Sequence, residues 1–165
     1  MKIMVKESGV IDMPLRLLII LVILVITVPL VLSIAGYYSS VSAEQEMIAQ
    51  ANYLRDKIVM VYSMGVNSSL KITVSFPKNT EYVKVGGPLN SDNSYFIRVK
   101  AYNSPERIIL VKHGNVGIRV TSNNTTMVMW SGTYRVLITK MLCNYDLDGN
   151  GYLDDFYVNV EVVEE

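Results

Sequence analysis

The chain is 165 residues long, half of them hydrophobic, with a mean hydropathy of +0.29 and 15 basic against 15 acidic side chains. That apolar balance is high for a soluble protein and ordinary for one with a single membrane span; it leaves about 100 residues for one modest domain with its own core. The single histidine excludes a histidine-based metal cluster, and the single cysteine an internal disulfide.

A short head, residues 1–16, contains Lys2, Lys6, Gly9 and Arg16, and an uncharged stretch follows at 17–35. At about 1.5 Å per residue the stretch makes a helix of roughly 28 Å, close to the hydrocarbon thickness of a bilayer. A secretory signal core is shorter, about 7–15 residues, and ends in a small-residue cleavage site. Here the stretch runs on into Ile34-Ala35-Gly36-Tyr37-Tyr38, where Ala35-Gly36 is a weak cleavage step and the two tyrosines suit the headgroup level. A retained span is therefore expected. Lys2, Lys6 and Arg16 precede it and the next basic residue is Arg55, so the N-terminus is expected in the cytoplasm and the rest outside.

The helix is expected to continue past the membrane surface. Met47, Ala51, Leu54, Ile58 and Val61 recur at spacings of four, three, four and three, which is one face of an amphipathic helix over 41–64. Asp12, with Pro14 in the first turn, is the expected start and Gly65 the expected stop. One helix of about 80 Å would then be apolar all round in its first half and striped in its second. Pro29 falls inside the apolar half; it is either a tolerated kink or a point where the helix can open.

After Gly65 the period becomes two. Leu70, Ile72, Val74 and Phe76 alternate with polar residues, and the rhythm returns at 81–85, 95–101, 107–112, 116–120, 126–130, 133–142 and 156–163. Breakers separate these runs, among them Gly86-Gly87-Pro88, His113-Gly114-Asn115 and Ser122-Asn123-Asn124. The expected fold is α+β: a long N-terminal hydrophobic helix (residues 10–65) followed by an antiparallel, sandwich-like β domain (66–165) of seven or eight strands. His113 reads as a turn residue and Cys143 as a small buried hydrophobe.

The most specific chemical pattern is Asp146-Leu147-Asp148-Gly149-Asn150-Gly151-Tyr152-Leu153-Asp154-Asp155. Oxygen side chains at loop positions one, three and five with glycine at six match a calcium loop. Asp146, Asp148, Asn150, the Tyr152 carbonyl, Asp154 and Asp155 are the expected ligands. Position twelve is Tyr157 rather than the bidentate glutamate, and the flanks read as strands, so the loop joins two strands and is no EF-hand. Four carboxylates in ten residues also fit a plain acidic turn, but their mutual repulsion favours a cation. Three sequons, at Asn67, Asn123 and Asn124, fall outside the membrane on this topology. Residues 57–140 hold eleven basic and three acidic side chains while the chain beyond Lys140 holds seven acidic and none basic, a split that suits either neutralisation within the fold or contacts between neighbouring copies. No phosphate loop, nucleophile elbow or nucleic-acid motif is present, so neither an enzyme nor nucleic-acid binding is expected.

A basic head ending in Gly9, an apolar helix continuing as an amphipathic one, and a β-rich domain together resemble an archaeal type IV pilin, the class that includes archaellins and adhesion pilins. The resemblance implies that a prepilin peptidase removes residues 1–9 (a class III signal peptide), cutting between Gly9 and Val10. It further implies that Asp12 neutralises the new α-amino group, and that the helices then self-associate as the core of a cell-surface filament. In this sequence Glu7 and Ser8 stand beside the glycine where the family usually has basic residues, and Pro14 and Arg16 fall early in the helix. An uncleaved alternative is a membrane-anchored β domain acting as a minor assembly factor or envelope anchor.

Overall fold

The computed structural model describes residues 9–143 and 156–164. The chain divides at Val41/Ser42 into two units. A single helix, α1, runs over Gly9–Tyr62, 54 residues, so it begins one turn before Asp12 rather than at it and ends short of Gly65. Pro14 and Pro29 both lie inside it. The exit tightens as it unwinds: Ser63 N donates to Val59 O and Met60 O, and Met64 N donates to Val61 O, the shorter i→i+3 pattern common at helix ends. Gly65 then opens the turn, with Ser68 N donating to its carbonyl.

The predicted stripe is the buried one. Met47 is 1% exposed, and Ala51, Leu54, Ile58 and Val61 are all at 0%. Four large side chains at about 2 kcal/mol each contribute on the order of 8 kcal/mol of gross burial, which holds this half of α1 to the β domain.

Ten strands follow among the described residues. They are β1 (Ser69–Phe76), β2 (Thr80–Val85), β3 (Phe96–Ala101), β4 (Arg107–Leu110), β5 (Lys112–His113), β6 (Val116–Gly117), β7 (Val120–Thr121), β8 (Met127–Met129), β9 (Gly132–Leu142) and β10 (Phe156–Glu164). One sheet has the order β1-β9-β10-β7, a second β4-β3-β2-β8, and β5-β6 form a small hairpin. Both four-stranded sheets are open, and the first is mixed: β10 runs parallel to β7, with Val158 opposite Val120. This corrects the expectation of a wholly antiparallel domain. The alternation read from the sequence is real, with Ile72, Val74 and Phe76 buried along β1 and Tyr134, Val136 and Ile138 along β9. Together with the α1 stripe, buried residues of both sheets form one hydrophobic core.

Two predicted strands are each broken in the middle. Val111 separates β4 from β5 and Ile118 lies between β6 and β7; both are buried, and Ile118 N donates to Val111 O across the break. His113 lies in β5 beside the two-residue turn Gly114-Asn115 and pairs in register with Val116. All four non-glycine residues of positive φ among the described residues are asparagines: Asn67, Asn103, Asn123 and Asn124. Asparagine tolerates the left-handed region because its short side chain hydrogen-bonds locally.

Candidate functional site

The most conspicuous surface is the first half of α1. From Met13 to Ile34 seventeen large hydrophobic side chains are each 46–72% exposed. Each is about half exposed, so at 1.5–3 kcal/mol per fully buried side chain covering them would be worth on the order of 15–30 kcal/mol, more than the whole stability of a small domain. Large exposed apolar surfaces are of the kind found where proteins meet membranes or other proteins. This is one helix near the N-terminus, long and apolar enough to cross a membrane.

Two hydroxyls in the segment are satisfied within the helix. Thr27 Oγ1 donates to Ile23 O at 2.7 Å and Ser33 Oγ donates to Pro29 O at 2.8 Å, so both hydroxyls are satisfied without water. Pro29 has no N–H for the Val25 carbonyl, which leaves one acceptor in the ladder without its usual donor. Tyr37 and Tyr38 end the segment, both 68% exposed, with ring centroids 6.3 Å apart in an edge-on arrangement.

The second half of α1 is tied to the β domain at two polar points. Near its start Glu44 accepts a hydrogen bond from Ser104 Oγ at 3.0 Å and lies 3.7 Å from Arg107 Nε. At its end Lys140, only 8% exposed, donates to Tyr62 O at 2.7 Å and to Met64 O at 3.0 Å. Its ammonium also lies 5.0 Å from the Tyr62 ring centre and 4.3 Å from that of Phe156. The last turn of α1 holds no basic residue of its own. A lysine from β9 therefore supplies the positive charge that the carbonyl end of a helix favours. In the sequence Lys140 stands out only as the last basic residue. Its signal was there: the inward series Tyr134, Val136, Ile138 continues at 140, so a charge at that position must meet a partner inside.

The predicted site residues fall out as follows. Gly9 and Val10 are helical, as is Asp12. The loop residues Asp146, Asp148, Asn150, Tyr152, Asp154 and Asp155 lie outside the described residues. The strands that bracket them are partners, with Phe156 opposite Leu142 and Tyr157 opposite Met141. Tyr157 thus belongs to β10. Cys143 is buried at the end of β9. The sequon asparagines separate into two places. Asn67 is exposed in the turn after α1, beside Lys140, whose carbonyl accepts its backbone N–H. Asn123 and Asn124 share the exposed turn before β8, where Asn123 N donates to Asn159 Oδ1 and Asn124 Oδ1 accepts from Leu89 N.

Two titratable groups on the outer face of the second sheet are shifted. Tyr82 donates to Glu106 Oε1 at 2.9 Å, and that bond to a carboxylate raises its phenol above 10.0. Lys100 is raised above 10.5 by its hydrogen bond to Glu81. Both shifts keep the proton on. Comparison of the chain with protein-family models, characterised proteins and solved structures finds no match.

Proposed function

We propose that the chain is a structural subunit of a type IV pilus-like cell-surface filament, held in the membrane by the first half of α1 until residues 1–9 are removed and then polymerised through it. The observation that carries this reading is the all-round apolar surface from Leu17 to Ile34, continuous within one helix with a stripe that belongs to a folded β domain. Lipid and apolar neighbouring helices bury such a surface about equally, so transfer between them turns on packing detail. Removing the charged head removes the anchor that resists extraction. The β domain, read as a sandwich-like head, stays outside, and glycans on Asn67, Asn123 or Asn124 would lie on its surface. A calcium ion held by residues 146–155 completes the proposal as a structural support for the return from β9 to β10.

Arg16 favours a second reading, a permanently anchored envelope or assembly protein. A guanidinium near the end of a membrane helix can snorkel to the headgroups and stay there. Immunogold labelling with antibody to the β domain separates the two. Decoration along extended filaments supports the pilin reading; label confined to the cell envelope favours the anchor.

A further inference from the structure

Lys84 on β2 stands directly opposite Arg98 on β3 and directly opposite Val128 on β8, so the three side chains form one row across three strands on the outer face of the sheet. Like charges opposite one another on a sheet repel. The neighbouring cation–carboxylate contact shows what usually relieves this: Lys100 pairs with Glu81 at 2.9 Å. Glu106, the other acid on that face, is taken by Tyr82. Among the described residues neither Lys84 nor Arg98 forms an ion pair. The Lys84 ammonium lies 4.3 Å from the Tyr82 ring centre, and Arg98 donates to the Asn93 amide oxygen.

The row borders a cleft of about 270 Å³ lined by Lys84, Gly86, Asn93, Arg98, Thr126 and Val128. Its polar side chains are chiefly donors, set beside the apolar Val128. Lys84 and Arg98 carry only donors, Thr126 brings a hydroxyl, and because the Asn93 oxygen accepts from Arg98 its amide nitrogen remains to donate. No carboxylate lines it. The volume is below that of ordinary drug-sized sites, which start near 300 Å³, and suits one small group. The cleft is also held in place. Gly86 has φ +61°, and an added Cβ there would stand 2.1 Å from Val120 O, so this backbone is fixed against the β7 segment behind it.

We propose that this cleft binds a compact oxyanion, a phosphate, sulfate or carboxylate group, either free or carried on a sugar, with Lys84 and Arg98 supplying the charge and Asn93 and Thr126 the neutral donors. The site is independent of the filament reading. An anion between the two cations replaces their repulsion with two charge-assisted contacts, and the planar guanidinium of Arg98 can present paired N–H groups to it.

The test uses the full chain in non-ionic detergent, titrated with inorganic phosphate, glucose 6-phosphate and glucose at matched ionic strength and followed by calorimetry. Phosphate is expected to saturate. The double variant Lys84→Gln/Arg98→Gln should bind at least tenfold more weakly, while Lys71→Gln on the exposed face of β1 binds as the unaltered chain does. Equal affinity for phosphate and glucose 6-phosphate assigns the cleft to the oxyanion alone; tighter binding of the sugar phosphate places a sugar beside Thr126 and Val128. A folding readout is independent of calorimetry: without anion Lys84→Gln should melt above the unaltered chain, and saturating phosphate should reverse the order. Undiminished binding by the double variant, glucose binding as well as phosphate, or no saturation by 50 mM phosphate would overturn the proposal.

Discussion

Lys140→Met removes the ammonium that caps α1 while keeping the length and apolar stem of the side chain. Two charge-assisted hydrogen bonds to the Tyr62 and Met64 carbonyls are lost, at about 1.5 kcal/mol or more apiece, with up to about 1 kcal/mol of helix-end electrostatics. Against this stands the desolvation that a buried ammonium costs and a methionine does not. The net expected loss is about 2–4 kcal/mol. For a domain of this size that lowers the melting midpoint by roughly 6–20 °C. Thermal unfolding of the full chain in detergent, read by near-ultraviolet circular dichroism, measures it, with Lys71→Met on the exposed face of β1 as the control. A loss below about 1 kcal/mol, no larger than that of the control, would refute the capping role.

Gly86→Ala should cost about 3 kcal/mol or more, because the new methyl meets Val120 O at 2.1 Å and the backbone sits at φ +61°; denaturant unfolding with a near-neutral result would contradict this. Tyr82 holds its proton longer when folded, so its contribution to stability is complete below pH 10 and declines as pH rises through its raised value. The phenolate absorbance difference between the native chain and Tyr82→Phe should therefore show one transition above 10.0, and a midpoint at or below 10.0 counts against the Glu106 hydrogen bond. If residues 146–155 hold calcium with an affinity typical of extracellular modules, 5 mM calcium should stabilise by about 1–2 kcal/mol over chelator; an unchanged midpoint removes the ion from the account.

The long helix and its buried stripe were legible in the sequence because Met47, Ala51, Leu54, Ile58 and Val61 admit only the helical period. Its start was misplaced because Pro14 is compatible with a first turn and also with a helix already under way, where it merely leaves one more carbonyl without a donor. Strand positions came through the alternation, but their partners did not. Period two states which side chains share a face and nothing about which strand lies alongside, so the parallel pairing of β7 with β10, nearly forty residues apart in sequence, was invisible. The breaks at Val111 and Ile118 were hidden for a related reason: both residues are apolar and buried, and continue the alternation through a bend. Lys140 was readable as an inward charge once its register on β9 is followed from Tyr134. The Lys84–Arg98 row was not, because thirteen residues, including a 3₁₀ turn at Asp92–Tyr95, lie between them and only the β2–β3 register sets them opposite.

N-terminal sequencing of filaments sheared from the cell surface reports whether the Gly9–Val10 peptide bond is cut. The filament account predicts a mature chain that starts at Val10, with the first half of α1 freed from its charged head for assembly. Surface material and membrane-bound protein that both begin at Met1 would contradict it.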